Sequence, residues 1–326
     1  MSLRVLGLQC GPCLAGETLR DRLATLERAF DEALAEHPDA DLVVFPELMA
    51  APYFCLTRDE SQFARAETLD GETVRRFAAR ARARGVFVLI TLFEKCVGAD
   101  TLVRYYNSAV LIDPQGECRG VYRKTHVPVL HLETMTTDEA YYFAPGDALP
   151  VFEVRGISVG VLICFDRSYP EAARTLARQG AELIVIPAAS SGAERGERWV
   201  QECAARAMEN GIYVLGVNRA GDETPGRDRS LTYFGTSCSC DPTGKVLAVL
   251  DSTPWRVVAL TVDPELIERT QSGLPLRRFL RHDLYGPCPP QVARVRQTTV
   301  DTTAVPSFGP RFRIPSPENN DAAQPR

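Results

Sequence analysis

Apolar residues change their spacing along the chain in a way that predicts strands alternating with helices. They alternate over residues 3–9, as in a partly buried strand, and then recur at helical spacing from Leu19 to Leu34. The apolar run 42–45 predicts a buried strand, which Pro46 ends because proline lacks a backbone N–H. The start of the chain therefore predicts a strand, a helix and a second strand.

The same alternation continues over most of the remaining chain. Helices are predicted at about residues 72–84, 170–179 and 195–209. Strands are predicted at about residues 86–92, 105–112, 157–163, 183–186, 212–217, 233–240, 245–250 and 256–262. The tetrapeptide 241–244 has the composition of a turn and joins two of the last strands as a hairpin. Helices interleaved with strands, followed by a strand-rich end, predict a layered α/β domain.

The composition is that of an ordinary globular protein, with 45% hydrophobic and 24% charged residues in a chain of 326. A formal net charge of -5 argues against nucleic acid or an anionic membrane as a partner. No apolar run approaches the roughly 18 residues that a membrane-spanning helix requires. The first residues enter a strand without a secretory signal, so we expect a cytoplasmic protein. Its 10 cysteines are scattered, and we expect mostly unpaired thiols.

No domain linker is evident before residue 286. From there proline, threonine, asparagine and glutamine dominate, a composition that does not support a packed core. The sequence therefore predicts one domain over residues 1–285 and a Pro-rich C-terminal extension over residues 286–326. The end of this extension, residues 315–326, is expected to be a mobile tail.

Three reactive side chains each follow the end of a predicted strand. Glu47 follows the run 42–45, Cys164 follows the strand 157–163, and Lys124 follows a further strand and turn. Open α/β sheets place their ligand crevices at such strand ends. A cysteine at a strand-to-helix turn lies near a helix N-terminus, which favours the thiolate.

Together these three side chains suit acyl transfer from an amide-like carbon to water. A carboxylate can accept the thiol proton and later return it to a leaving amine. An ammonium beside them stabilises the oxyanion of a tetrahedral intermediate. Each signal alone is ordinary, because loop acids and lysines are usually exposed and a cysteine after a buried strand usually belongs to the core. The joint pattern is what indicates a site.

Several strings in the chain closely resemble the signatures of the nitrilase superfamily of carbon–nitrogen hydrolases. In chain order they are FPELMAAPYF (45–54), YRKTHVP (122–128), YYFAPGD (141–147), ICFDRSYPEAAR (163–174), NRAG (218–221), DPTGK (241–245) and RHDLY (281–285). The resemblance covers about residues 3–285. It implies a four-layer αββα sandwich and a catalytic triad at Glu47, Lys124 and Cys164. It also implies a homodimer or higher homo-oligomer that pairs through a helical face, often with the C-terminal segment crossing to the partner.

Within the superfamily the chain is most similar to the N-carbamoyl amidohydrolases, which act on N-carbamoylputrescine, ureidopropionate or N-carbamoyl-D-amino acids. In those enzymes a second glutamate helps to position the substrate, and Glu139 matches its place, with Glu133 as a competing candidate. Arg167 corresponds to an arginine that holds the substrate carboxylate in carbamoyl amino acid hydrolases. The alternative is that Arg167 pairs with Asp166 or Glu171.

The resemblance leaves the far end of the substrate open. Ser168 stands where the D-amino acid enzymes carry a second arginine, whereas the putrescine-type enzymes have no arginine at either place. Tyr53, within the first of the strings, and His126 are predicted to contact the substrate, with His131 as an alternative histidine.

The resemblance implies a mechanism that needs no metal or other cofactor. Glu47 accepts the Cys164 proton, while Lys124 and the backbone N–H of Phe165 hold the oxyanion. A thioester forms as ammonia leaves, and water then hydrolyses it. The predicted substrate is a small molecule, an N-carbamoyl amine or amino acid. A simple amidase or a nitrilase of the same superfamily stays open as an alternative.

Two functions of other classes are rivals. The string Cys10-Gly11-Pro12-Cys13 lies between a strand and a helix, which is where thioredoxin-like redox sites occur. Against it, no tryptophan precedes Cys10 and the other strings do not belong to a thioredoxin fold. A zinc site at this pair lacks a second ligand pair. The other rival, a non-catalytic scaffold on the same fold, is disfavoured by the intact set of reactive side chains.

Overall fold

The computed structural model describes residues 2–131, 136–226, 229–281 and 283–284. The described residues up to Leu280 form one compact unit, and a second unit starts at Arg281. The predicted C-terminal extension over residues 286–326 lies outside the described residues.

Two six-stranded sheets form the centre of the first unit. The strands are, in chain order, β1 (Leu3–Gln9), β2 (Leu42–Val44), β3 (Phe87–Val97), β4 (Val103–Ile112), β5 (Cys118–Arg123), β6 (Val129–His131), β7 (Thr136–Asp138), β8 (Val151–Val154), β9 (Ile157–Val161), β10 (Leu183–Pro187), β11 (Tyr213–Val217), β12 (Ala220–Gly226), β13 (Arg229–Phe234), β14 (Cys238–Cys240), β15 (Val246–Val249) and β16 (Arg256–Val262). The spatial order is β16-β1-β2-β3-β4-β5 in the first sheet and β15-β14-β11-β10-β9-β8 in the second. In each sheet three central strands are parallel, namely β1, β2 and β3 in one and β9, β10 and β11 in the other.

The helices are α1 (Leu19–Glu36), α2 (Glu72–Arg84), α3 (Glu139–Tyr142), α4 (Pro170–Arg178), α5 (Gly196–Asn210) and α6 (Pro264–Gly273). Local sequence explains several of their ends. The Thr18 hydroxyl caps α1 by accepting from the backbone N–H of Asp21 at 3.2 Å. α2 ends at Gly85, whose φ of 67° is the left-handed conformation that glycine adopts without strain. Pro170 begins α4, where its missing N–H costs no helical hydrogen bond. Within the described ranges, no helix combines the length and the apolarity of a membrane span.

The two sheets stack face to face, and helices cover their outer faces. Between the sheets, Val5 and Leu42 of the first belong to one apolar cluster with Val185 and Leu215 of the second. α1 and α2 pack on the outer face of the first sheet, and α4 and α5 pack on the outer face of the second. Each sheet thus buries both of its faces in apolar contacts, which drive the folding of such layered domains. The predicted four-layer αββα sandwich is confirmed.

The prediction of one continuous strand over residues 233–240 is wrong, because β13 ends at Phe234 and β14 begins at Cys238. The chain turns between β13 and β14 at Gly235 and Thr236, whose φ angles are 66° and 47°. β13 then pairs with β12 in a hairpin, and β14 joins the second sheet beside β11. The apolar pattern does not signal this turn, because Tyr233 and Cys238 on either side of it are both buried.

Gly7 lies in β1 where the facing sheet approaches closely. A Cβ added to Gly7 would lie 2.6 Å from Cγ2 of Val217 in the facing sheet and 2.8 Å from Cγ1 of Val258 in the neighbouring strand. We therefore expect Gly7→Ala to lower the free energy of unfolding in urea by about 1–3 kcal/mol, as overpacking does. Gly273→Ala, which meets no atom within 4 Å, is the control. If both variants unfold at the wild-type urea concentration, the close approach of the sheets is not a constraint.

Candidate active site

The candidate site forms where strands of both sheets end. Glu47 follows β2 and Lys124 follows β5 in the first sheet, whereas Cys164 follows β9 in the second. Contacts between these ends join the sheets, since the Glu47 carboxylate accepts a hydrogen bond at 2.9 Å from the N–H of Ala189, just past β10. The sandwich thus brings three distant sequence positions into one cluster, in which Glu47 and Lys124 are buried and Cys164 is half-buried.

Lys124 lies between two carboxylates. Its Nζ is 2.8 Å from Oε1 of Glu47 and 2.9 and 2.7 Å from the two carboxylate oxygens of Glu139. None of the three residues is more than 1% exposed, so water screens these ion pairs little. Burial by itself lowers the pKa of Lys124, but the charges of Glu139 and Glu47 outweigh burial and raise that pKa well above its ordinary value. Lys124 is therefore an ammonium ion.

Glu139 begins α3 and is the second carboxylate beside Lys124. The Tyr53 hydroxyl donates to Oε1 of Glu139 at 2.7 Å. Burial raises the pKa of Glu139 to about 7, and Lys124 opposes this shift while Glu47 adds to it. The Glu139 carboxyl is therefore protonated more readily than an ordinary glutamate. The competing candidate, Glu133, lies outside the described residues.

Asn107 in β4 fixes the base and the ammonium together. Its side-chain Nδ2 donates to Oε1 of Glu47 at 2.7 Å, and its backbone carbonyl accepts from the backbone N–H of Lys124 at 2.8 Å. With Ala189 on the other oxygen, the Glu47 carboxylate has donors on both sides. These donors hold the Glu47 carboxylate in a single orientation.

Cys164 begins a 3₁₀ turn over Cys164–Ser168 and has a left-handed φ of 48°. Its Sγ lies 3.3 Å from the hydroxyl oxygen of Ser190. Ser190 directly follows Ala189, whose N–H binds Glu47. The nucleophile and the base therefore contact adjacent residues of one short segment.

The Cys164 thiol keeps its proton in the resting site. Burial raises the pKa of Cys164 above its ordinary value, and the Glu47 charge adds to this effect, against the opposing charges of Lys124 and Arg167. Burial and the Glu47 charge thus oppose the thiolate form, which the strand-to-helix turn is predicted to favour. Sulfur chemistry here needs a base.

A narrow pocket of about 30 Å³ opens on Cys164. The residues that line it and that were predicted as site residues are Tyr53, Glu139, Cys164, Phe165 and Arg167. Polar residues that sequence analysis did not identify also line it, namely Ser190, Ser191 and Arg195. Its apolar walls include Leu56, Pro128, Leu130 and Leu231. The pocket thus gives access to Cys164 and Glu139 within a mostly apolar surround, and Glu47 and Lys124 are not among its lining residues.

Asp166 ties the nucleophile turn to the loop after β5. Its carboxylate accepts from the N–H of Ile163 at 2.9 Å, from the hydroxyl of Tyr122 at 2.6 Å and from the backbone N–H of His126 at 2.9 Å. The His126 ring stacks on Tyr169 with 3.8 Å between ring centroids. His126 lines a separate surface groove rather than the narrow pocket, so its predicted contact with substrate has no support in this geometry.

Arg167 is held by protein groups in the pocket wall. Its Nε lies 2.8 Å from the Glu202 carboxylate of α5, and its Nη1 donates to the carbonyl of Cys164 at 2.8 Å. Nη1 is also 3.8 Å from the Cys164 sulfur. The alternative pairing with Asp166 or Glu171 is therefore wrong, because the acid partner comes from another helix. Binding of a substrate carboxylate by Arg167 stays a prediction.

A buried ion pair that sequence analysis did not identify supports the turn after Glu47. Arg219, in the NRAG string, pairs with Glu223 at 3.0 Å. Arg219 Nη2 donates to the carbonyls of Glu47 at 2.9 Å and Ala51 at 2.8 Å, and to that of Leu48. Leu48 has a left-handed φ of 50°, which is unfavourable for a non-glycine residue. The guanidinium therefore stabilises the backbone that carries the base.

The Cys10–Cys13 string belongs to the same support. Both thiols are buried and unpaired, and burial raises the pKa of Cys10 to about 12. Arg22 donates to the carbonyl of Gly11 at 3.0 Å, and the Cys13 N–H donates to Glu223 at 2.8 Å. These thiols lack the exposure and low pKa of reactive redox cysteines. Over the part of the chain that is described, no group of three His, Cys, Asp or Glu side chains could hold a metal ion.

The chain is similar to known hydrolases over most of its length. The carbon-nitrogen hydrolase family profile matches residues 8–272. The chain is 31% identical over 280 residues to an N-carbamoylputrescine amidase of Arabidopsis thaliana, covering 82% of this chain and 90% of that protein. It is 31% identical over 273 residues to a citrullinase of Francisella tularensis subsp. tularensis, covering 81% and 91%. Among solved structures, a carbon-nitrogen hydrolase from Helicobacter pylori G27 has a TM-score of 0.79 and 28% identity, covering 87% and 97%.

Replacement of Arg219 tests the support of the base. Arg219→Met leaves Glu223 buried without its partner, which typically costs about 3–5 kcal/mol. We expect the free energy of unfolding in urea to fall by that amount. The exposed Arg269 pairs with Glu265, and Arg269→Met should change stability by less than about 1 kcal/mol. A loss at Arg219 no larger than at Arg269 would contradict the supporting role.

Glu139 should make stability depend on pH in a defined direction. Its pKa is raised from 4.5 to about 7 in the folded site, so the folded state binds that proton more tightly than the unfolded chain does. The stability of the wild type should therefore fall, relative to Glu139→Gln, as pH rises from about 4.5 to about 7. Unfolding free energies measured across this window provide the check. Parallel curves for the two proteins would mean that Glu139 does not titrate there.

Proposed function

Because the chain belongs to the carbon–nitrogen hydrolase family, we propose that it hydrolyses the ureido group of an N-carbamoyl amine or N-carbamoyl amino acid and releases ammonia. The observation that carries this proposal is the buried cluster of Lys124 with Glu47 and Glu139 around the Cys164 thiol. A base, an ammonium and a sulfur nucleophile are the groups that acyl transfer from an amide requires. The similarity to an N-carbamoylputrescine amidase supports an N-carbamoyl substrate.

In the first step Glu47 acts as general base. The raised pKa of Cys164 keeps the thiol protonated, so the proton must leave as the sulfur attacks. Glu47 accepts this proton while Sγ bonds to the carbamoyl carbon and the carbonyl electron pair moves to oxygen. The resulting oxyanion is stabilised by the Lys124 ammonium and the N–H of Phe165, a residue that lines the pocket.

In the second step the tetrahedral intermediate expels ammonia. Glu47 returns its proton to the leaving nitrogen, the carbon–nitrogen bond breaks, and a thioester remains on Cys164. Water then attacks the thioester, Glu47 takes a proton from that water, and the sulfur leaves and regains its hydrogen. The carbamate product loses carbon dioxide to yield the free amine.

Glu139 supports the cycle through Lys124. When Glu47 is protonated, it no longer offers the ammonium a full negative charge. Because the Glu47 charge is one of the causes that raise the pKa of Glu139, protonation of Glu47 favours the charged form of Glu139. Glu139, at 2.7 Å from Nζ, then keeps Lys124 charged and in place for the oxyanion. Tyr53 donates to Glu139 and so helps to orient it. The role of Glu139 is therefore to position the ammonium.

The same groups would also hydrolyse a simple amide or a nitrile, so both remain alternative substrates. A thiol–disulfide function at Cys10 and Cys13 is disfavoured by their burial and by the raised pKa of Cys10. We further propose a homo-oligomer, as the family resemblance implies, and a cytoplasmic location.

An ammonia-release screen tests the proposal. Purified protein is assayed against N-carbamoyl amines, N-carbamoyl α- and β-amino acids, amides and nitriles, with Cys164→Ala as the blank. We expect ammonia from at least one N-carbamoyl class and none from Cys164→Ala, because the variant has no nucleophile. Hydrolysis that persists in Cys164→Ala would end the proposal.

Lys124→Ala tests the stabilisation of the oxyanion. Loss of one oxyanion donor typically lowers kcat by about 10²–10³-fold, and we expect at least that loss with the best substrate from the screen. Lys245 is exposed, and Lys245→Ala is the control for removal of a lysine side chain. Thermal unfolding of both variants separates lost chemistry from lost folding. A folded Lys124→Ala with the kcat of Lys245→Ala would contradict the assignment.

A further inference from the structure

Ala189 and Ser190, just past the end of β10, contact both reacting groups of the proposed mechanism. The N–H of Ala189 donates to Oε2 of Glu47 at 2.9 Å. The hydroxyl oxygen of Ser190 lies 3.3 Å from the Cys164 sulfur, where either atom can be the donor. Ser190 is only 4% exposed, yet it lines the narrow pocket. One dipeptide therefore spans the distance from the base to the nucleophile.

Asn218 fixes the position of this dipeptide. The N–H of Ser190 donates to Oδ1 of Asn218 at 2.8 Å, and Nδ2 of Asn218 donates to the Ser190 carbonyl at 3.1 Å. The same Nδ2 reaches the carbonyl of Gly235 at 3.1 Å, and Asn218 itself is fully buried. Because both polar backbone groups of Ser190 are held, its hydroxyl can change direction only by rotating about its own bonds.

Loss of the thiol proton changes the hydrogen bond that the Ser190 hydroxyl can make to the Cys164 sulfur. A thiol can donate a weak hydrogen bond, and the hydroxyl oxygen can accept it. After Glu47 removes the proton, the sulfur is an anion that can only accept. The Ser190 hydroxyl, already in contact, can then donate to it without movement of either heavy atom. Nη1 of Arg167 is 3.8 Å from the sulfur and already donates to the Cys164 carbonyl.

We propose that Ser190 is a further catalytic residue, whose hydroxyl donates a hydrogen bond to the Cys164 thiolate as Glu47 takes the proton. No bond of Ser190 is made or broken in this step. The proton passes from sulfur to the Glu47 carboxylate, and the hydroxyl hydrogen turns toward the anion. A hydrogen bond to a charged acceptor stabilises that anion more than it stabilises the neutral thiol. This inference rests on the proposed function only for the identity of the nucleophile and its base.

The test measures thiolate formation directly, without a substrate. Wild type and Ser190→Ala are alkylated with iodoacetamide across a range of pH, and modification of the Cys164 peptide is followed by mass spectrometry. We expect Ser190→Ala to raise the apparent pKa of alkylation by about one unit and to slow alkylation about tenfold near neutral pH. Ser190→Thr, which retains a hydroxyl, should recover part of the rate.

Ser239→Ala is the matched control, because Ser239 is a fully buried serine of β14 outside the candidate site. Its Cys164 peptide should be alkylated with the wild-type pH profile. An unchanged profile in a folded Ser190→Ala variant would overturn the proposal, as would a change equal to that of Ser239→Ala. The alkylation assay needs no substrate turnover. Its result therefore tests the role of Ser190 even if the ammonia screen finds no substrate. If Ser190→Ala alters only KM in the turnover assay and leaves alkylation unchanged, the hydroxyl binds substrate and the proposal is also wrong.

Discussion

The ammonium of Lys124 is the charge on which the arrangement of the site depends. Glu47 and Glu139 are both buried within hydrogen-bond distance of it, and without a cation between them the two carboxylates would repel each other in a poorly screened space. The ammonium thus determines where both oxygen sets point. It also opposes the effect of burial on the Cys164 thiol. One cation therefore contacts both carboxylates of the cluster and acts on the thiol that the proposed chemistry uses.

The scaffold holds this cluster from several directions at once. Asn107 of β4 donates a hydrogen bond to the Glu47 carboxylate. Arg219 follows β11 of the other sheet and donates to the backbone carbonyl of Glu47. Asp166 joins the nucleophile turn to the loop that carries Lys124. Since these supports come from both sheets, neither sheet alone contains a complete site. The arrangement of the site therefore depends on the stacking of the two sheets in the αββα sandwich.

The layers of the fold and the positions of Glu47, Lys124 and Cys164 could be predicted, because each residue follows an apolar run within a recognisable string. The contact of Ser190 with Cys164 and the contacts of Arg219 with the backbone beside Glu47 could not be predicted, because these partners lie far along the chain, even though Arg219 belongs to a recognisable string. The turn between β13 and β14 escaped the pattern because buried residues lie on both sides of it. The charge state of the Cys164 thiol was also out of reach, since it depends on how deeply the sandwich buries it. The spacing of apolar residues shows which face of a helix or strand is buried. The features that were missed depend instead on contacts between different helices, strands and loops.

Two residues at the site hold a left-handed backbone without being glycine. Leu48 directly follows the proposed base, and Cys164 carries the proposed nucleophile. Such a conformation costs on the order of 1–3 kcal/mol per residue and persists only where the surroundings enforce it. The surrounding contacts therefore fix the backbone beside the proposed base and at the proposed nucleophile. A substitution that relaxed either backbone would stabilise the fold and displace the side chain that this backbone now holds in place.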